Sequence, residues 1–110
     1  MRLVLALGDQ LSPDLSALKA ADRTRDRVVM AEVAEEAGSV AHHPKKIALV
    51  FAAMRKFAER LRAAGWQVDY TRLDDPRNAG SIPGELIRRA EQHGAREVLE
   101  QRTFEKNVDA

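Results

Sequence analysis

Between Pro44 and Gly65, the apolar residues Ile47, Val50, Phe51, Met54, Phe57, Ala58 and Leu61 recur at spacings of three and four. That period sets them on one stripe of an α-helix, with Lys56, Glu59, Arg60 and Arg62 on the other side. A helix striped in this way must bury its apolar face against a second layer, and the flanking segments say which. Leu3 to Leu7 is a continuous apolar run closed by Gly8, and Arg27 to Val33 is a second, mostly apolar run. Such runs read as strands covered on both faces, as in a parallel sheet. Trp66 to Leu73 alternates apolar and polar residues, which predicts a half-covered strand nearer the sheet edge.

The punctuation between these runs is helical. Ser12-Pro13-Asp14 opens a short helix with serine as cap, proline in the first turn and an acid at the positive end of the dipole; Leu15 and Leu18 form its apolar face. Asp22 to Asp26 is a charged turn. Residues 34–41 are a loop centred on Gly38-Ser39, and Asp74 to Gly80 is a polar, turn-rich loop. Ser81 caps a third helix carrying Leu86, Ile87 and Ala90, which stops at His93-Gly94 before a short strand over 97–100. Strand then helix, three times, then strand: this order predicts an α/β, three-layer Rossmann-like (flavodoxin-like) parallel sheet of about four strands with helices on both faces. The domain occupies residues 1–100, and 101–110 form an irregular tail.

Composition narrows the function classes. A chain of 110 residues supports one core. Its 18 basic and 17 acidic residues leave a net charge of +1, so no overall field draws it to nucleic acid or to a membrane. There is no cysteine, which removes disulfides, thiolate nucleophiles and iron–sulfur ligation from this chain and fits a cytoplasmic protein. No apolar run approaches the roughly 20 residues that a bilayer requires, so a soluble protein without a membrane partner is expected.

In open parallel sheets, ligands bind beyond the carboxyl ends of the strands, where strand order reverses. Three connections meet that criterion: Gly8 to Gln10, Glu32 to Lys46, and Asp74 to Ser81. The second gathers Glu35, Glu36, His42, His43, Pro44, Lys45 and Lys46. Adjacent histidines on a regular element point apart, which disfavours a shared metal, and no metal ligands are assigned. A plain helix start suits Pro44, although two lysines there have the wrong sign for the dipole at a cost of a few tenths of a kcal/mol each. The third reading turns free backbone N–H groups, the lysines and a protonated histidine into a pocket for an anion or an electron-rich ring.

Gly8-Asp9-Gln10 carries neither a dinucleotide fingerprint nor a phosphate loop; it reads equally as a hydrogen-bonding corner for a small ring and as an ordinary turn. Asp74 and Asp75, followed by proline, read as turn formers rather than an acid–base pair. Trp66, Val68 and Tyr70 share a strand face and read as core. No nucleophile–base–acid set can be assembled, so no catalytic residue is assigned.

Five ordered motifs carry a resemblance. Leu-Ala-Leu-Gly-Asp-Gln-Leu-Ser (5–12), Val-Ala-Glu-Glu-Ala (33–37), His-His-Pro-Lys-Lys-Ile-Ala-Leu-Val-Phe-Ala-Ala-Met-Arg (42–55), Phe-Ala-Glu-Arg-Leu-Arg (57–62) and Leu-Asp-Asp-Pro-Arg-Asn-Ala-Gly-Ser (73–81) resemble the amino-terminal domain of the deoxyribodipyrimidine photolyase-related proteins. This is the bacterial, iron–sulfur-containing branch of the photolyase/cryptochrome family. The resemblance runs from about Leu3 to about Ala90. It implies an α/β antenna domain holding 6,7-dimethyl-8-ribityllumazine, with FAD and an iron–sulfur cluster in a large helical part that repairs ultraviolet lesions in DNA. By position, Gly8, Asp9, Gln10, Glu36 and Lys46 would line the antenna pocket. Three positions depart from the family's usual pattern: Ser39 stands for an aromatic, commonly tyrosine, Pro44 for lysine and Ile82 for phenylalanine. The resemblance further implies no repair activity for this domain alone, with damaged DNA met only through the full-length protein. A rival expectation is a stand-alone interaction module, a homodimer without chromophore.

Overall fold

The structure, a computed structural model, describes residues 1–8, 11, 16–33 and 44–99, with side chains throughout that set except at 16, 17 and 44–46. Four strands form one sheet: β1 (Leu3–Leu5), β2 (Arg27–Ala31), β3 (Gln67–Thr71) and β4 (Val98–Leu99). Their spatial order is β3-β2-β1-β4, and every pairing is parallel. The helices are α1 (Ser16–Ala20), α2 (Pro44–Ala63) and α3 (Ile82–His93). The chain moves outward from β1 to β3, then crosses back through α3 to place β4 on the far side of β1. Strand order therefore reverses at β1, and the connection after β1, which opens with Gly8, leaves the sheet at that reversal.

The apolar stripe of α2 does what its period requires. Phe51, Met54, Phe57, Ala58 and Leu61 are buried, and they close with Leu18 of α1 over Val4, Val28, Met30 and Val68 on one face of the sheet. Each large side chain removed from water here contributes about 1.5–3 kcal/mol. Gly65 ends the segment at φ 96, a left-handed backbone that glycine adopts without strain. Arg23 donates to the Ala64 carbonyl at 2.8 Å, so this helix end is also capped from the turn before β2.

The opposite face is built differently. Leu3, Leu5, Val29 and Ala31 are buried beneath α3, but at β3 the sheet presents Asp69 and Thr71. The alternation in this strand predicts a polar face toward solvent; instead Thr71 and Asp69 are buried, because α3 meets them with charged side chains. Arg88 and Arg89 both donate to the Thr71 hydroxyl, at 3.1 and 3.0 Å, and His93 lies 2.6 Å from Asp69. The helix therefore turns Ile87 outward, 60% exposed, whereas the sequence pattern groups Ile87 with the apolar face. Ser81 caps α3 as its sequence predicts, accepting from the Gly84 N–H at 3.1 Å. β1 and β2 are shorter than the apolar runs that encode them, since pairing ends at Leu5 and Ala31 while Ala6 and Val33 stay buried beyond the ladder.

Among the described residues, no helix is long and apolar enough to cross a membrane. Met54 is fully buried at the centre of the α2 contact, so Met54→Ala is expected to lower unfolding free energy by about 2–5 kcal/mol, measured by urea denaturation. The same change at exposed Leu49 is expected to shift it by less than about 0.5 kcal/mol.

Candidate functional site

The carboxyl ends of β2 and β3 are organised by Glu32, the residue directly after β2. Its side chain is fully buried. Arg55 on α2 grips it with two parallel donors, Nε to Oε2 at 2.6 Å and Nη2 to Oε1 at 2.9 Å. The Tyr70 hydroxyl donates to Oε2, and the Leu73 N–H donates to Oε1 at 3.1 Å. The backbone of Glu32 is equally occupied: its N–H donates to the Thr71 carbonyl at 2.8 Å, and its carbonyl accepts from Asn78 Nδ2 at 2.7 Å. One residue thus binds the ends of β2 and β3, the helix α2 and both sides of the 72–80 connection.

The electrostatics follow from this packing. Burial on its own would raise the Glu32 pKa, but the hydrogen bonds from Arg55, Tyr70 and Leu73 outweigh it and hold the carboxyl below its usual range. Burial, and then the neighbouring carboxylate, push the Tyr70 hydroxyl well above its ordinary value, so it remains a donor. The hydrogen bond to Glu32 raises Arg55 in turn.

The connection after β3 is held from two more directions. Asn78 donates to the Arg72 carbonyl at 3.0 Å as well as to Glu32, and Asn78 Oδ1 accepts from the Gly80 N–H at 2.8 Å. Gly80 takes φ 86, a conformation that an L side chain would strain. Asp75 accepts from the Arg77 N–H at 2.8 Å, which makes it the turn former expected of it. Glu85, buried on α3, accepts from the Ala79 N–H at 3.0 Å and from Arg88 at 2.7 and 2.9 Å. Burial would raise Glu85 as well, yet Arg88, Thr71 and the Ala79 N–H bring it down to about 2.

The residues assigned from sequence meet this framework unequally. Gly8 lies just beyond β1 at the same end of the sheet, half-buried. Lys46 falls in the first turn of α2, although its side chain lies outside the described residues. Asp9, Gln10, Glu36, His42 and His43 also lie outside them. Among the described residues, no group of three His, Asp or Glu could hold a metal ion. Sequence reasoning missed Glu32, Arg55, Tyr70 and Asn78. Glu32 is the one with a signal, as an acid ending an otherwise apolar strand.

A parallel α/β sheet whose strand order reverses at β1 is of the kind that binds ligands at the carboxyl ends of its strands, and comparison with known proteins specifies the family. Residues 4–110 match the family model described as deoxyribodipyrimidine photo-lyase-related protein. The chain is also 56% identical over 87 residues to a (6-4) photolyase of Agrobacterium fabrum (strain C58 / ATCC 33970). The chain belongs to the deoxyribodipyrimidine photolyase-related family. That alignment covers 79% of this chain and 17% of the photolyase.

A depressed carboxyl pKa contributes stability that is present above its unfolded value and lost as pH falls toward its folded value. For Glu85 that window runs from the ordinary glutamate value of 4.5 down to about 2. The expected result is a melting temperature that falls steadily across this range. Glu85→Gln should flatten the fall and lower stability at pH 7 by about 1–3 kcal/mol. Glu32→Ala, which strands the Arg55–Tyr70 pair, is expected to cost about 3–5 kcal/mol by urea denaturation at pH 7.

Proposed function

We propose that this chain is the antenna domain of a photolyase-related DNA-repair flavoprotein. It holds 6,7-dimethyl-8-ribityllumazine in the crevice above the strand ends, with no repair activity of its own. The observation that carries this reading is the Glu32 clamp: its buried carboxylate, gripped by the half-exposed Arg55, and an asparagine fix the 72–80 connection at the carboxyl end of the sheet, in a chain of this family. A pre-set wall of that kind spares a flat ligand the cost of ordering a loop. Gly8, Asp9, Gln10, Glu36 and Lys46 supply the polar contacts. Asp9 and Glu36 accept from the imide N–H and the ribityl hydroxyls, and Lys46 donates to a ring carbonyl.

FAD and an iron–sulfur cluster belong to the part of the longer relatives that this chain does not span, and damaged DNA is met through that part. The protein works in the cytoplasm. Titration with the lumazine, followed by absorbance and fluorescence, is expected to give a micromolar Kd, equivalent to about 8 kcal/mol. Asp9→Ala and Glu36→Ala should each weaken it about tenfold or more, and Ser39→Tyr should tighten it through stacking. An unchanged spectrum at about 100 μM protein, far above such a Kd, would overturn the proposal.

A second reading is favoured by Leu49 and Ile87, which are 68% and 60% exposed: a homodimerising module without chromophore. Light scattering separates the two, since this reading requires a dimer in the absence of ligand.

A further inference from the structure

Arg55 and Arg62 lie seven residues apart on α2, two turns and about 10 Å along its axis. Both turn toward the open edge of β3. Arg55 commits Nε and Nη2 to Glu32 and keeps Nη1 outside that fork. Arg62 donates Nη2 to the Val68 carbonyl at 2.9 Å. The Thr71 carbonyl faces β2, where it accepts from the Glu32 N–H, so alternate residues 67, 69 and 71 turn their backbone groups inward. Residues 68 and 70 turn theirs to the free edge. Between that edge and α2 runs a cleft of about 280 Å³ lined by Arg55, Ala58, Glu59, Arg62, Tyr70 and Arg72.

The charges in this cleft are unevenly matched. Glu32, beneath it, balances Arg55. Among the described residues, Arg72 has only the exposed Asp74, 3.8 Å away. Arg62 has no carboxylate within ion-pair distance among the described residues, since its partner is a neutral carbonyl. Glu59 is the one acid on the wall, exposed on a flexible stem. Arg62 is pinned by its hydrogen bond to the Val68 carbonyl, so one of the donors is set before a ligand arrives.

We infer that this cleft at the β3 edge is a second ligand site, distinct from the strand-end crevice, which takes a phosphoryl oxyanion between Arg62 and Arg72. The forked donors of arginine match the oxygens of such a group. The site accommodates either a free phosphate or the phosphodiester of a nucleic-acid strand.

The test follows the arginine side-chain N–H resonances of the whole chain by NMR during titration with inorganic phosphate at constant ionic strength. A short single-stranded oligonucleotide is titrated in a second arm. Saturable shifts at Arg62 and Arg72 are expected, with a Kd on the order of 1 mM for phosphate. Arg62→Ala and Arg72→Ala should each weaken binding about tenfold, with circular dichroism reporting the fold. Glu59→Gln should tighten it about two- to threefold by removing the repelling charge, and Arg96→Ala, elsewhere on the surface, should leave it unchanged. Oligonucleotide binding more than about tenfold tighter than phosphate assigns the phosphodiester; equal affinity assigns the small anion. Absence of saturation by about 20 mM phosphate, shifts reproduced by chloride, or shifts at the remaining arginines that are the same in the Arg62→Ala, Arg72→Ala double variant as in the unaltered chain would each overturn the inference.

Discussion

The buried carboxylate of Glu32 is the constraint on which the strand-end architecture depends. A carboxylate taken out of water loses several kcal/mol of solvation, which is recovered only if its partners are numerous and well placed. Here they are: two donors from Arg55, one from Tyr70 and one from the Leu73 backbone. Because these donors come from a helix, a strand and a connection, the group is satisfied only when all three stand at one relative position. An apolar residue at this place would pack as well and be indifferent to that position. What the ion pair adds is a unique geometry at the end of the sheet where ligands bind in folds of this class.

The two faces of the sheet divide the labour of stability. On the α1 and α2 face, Met54, Met30, Val4 and Val28 are buried without polar partners, and the gain is non-directional. Under α3 the contact is partly ionic. Arg88 and Arg89 converge on the Thr71 hydroxyl, Glu85 reaches back to the 79–80 turn, and His93 and Arg27 share Asp69. A helix seated by such contacts cannot slide along the sheet by a turn without stranding several charges at once. That fixes where Ser81 and the preceding connection end, and so fixes the second anchor of the loop that Asn78 ties to Glu32.

This division explains what was legible in the sequence. The stripe from Ile47 to Leu61, the Gly65 stop and the Ser81 cap are local signals, and the structure follows them because burial of one face and satisfaction of helix ends are local requirements. The parallel order followed from short apolar runs alternating with helices. Ile87 and Asp69 were misread for one reason: hydropathy assigns polar residues to solvent, whereas here arginines on α3 and acids on β3 and α3 bury one another. The clamp around Glu32 was illegible because its members are 23 and 38 residues away in the chain, and no spacing rule links a strand end to the middle of a helix and the far half of another strand. Of the pocket residues assigned by resemblance, Gly8 lies just past the carboxyl end of β1, and Asp9, Gln10, Glu36 and the side chain of Lys46 fall outside the described residues.

Arg55 gives these observations a common mechanical consequence. Its Nε and Nη2 hold the carboxylate that fixes the strand-end connection, while the rest of the same rigid, planar guanidinium faces the cleft at the β3 edge. A planar group cannot turn one edge without turning the other. Displacing Arg55 toward an anion would lengthen its fork to Glu32 and loosen Tyr70 and Leu73 with it, so an anion held instead by Arg62 and Arg72 leaves the clamp intact. An occupant held that way engages Arg62 and Arg72 without drawing on the two donors that Arg55 gives to Glu32.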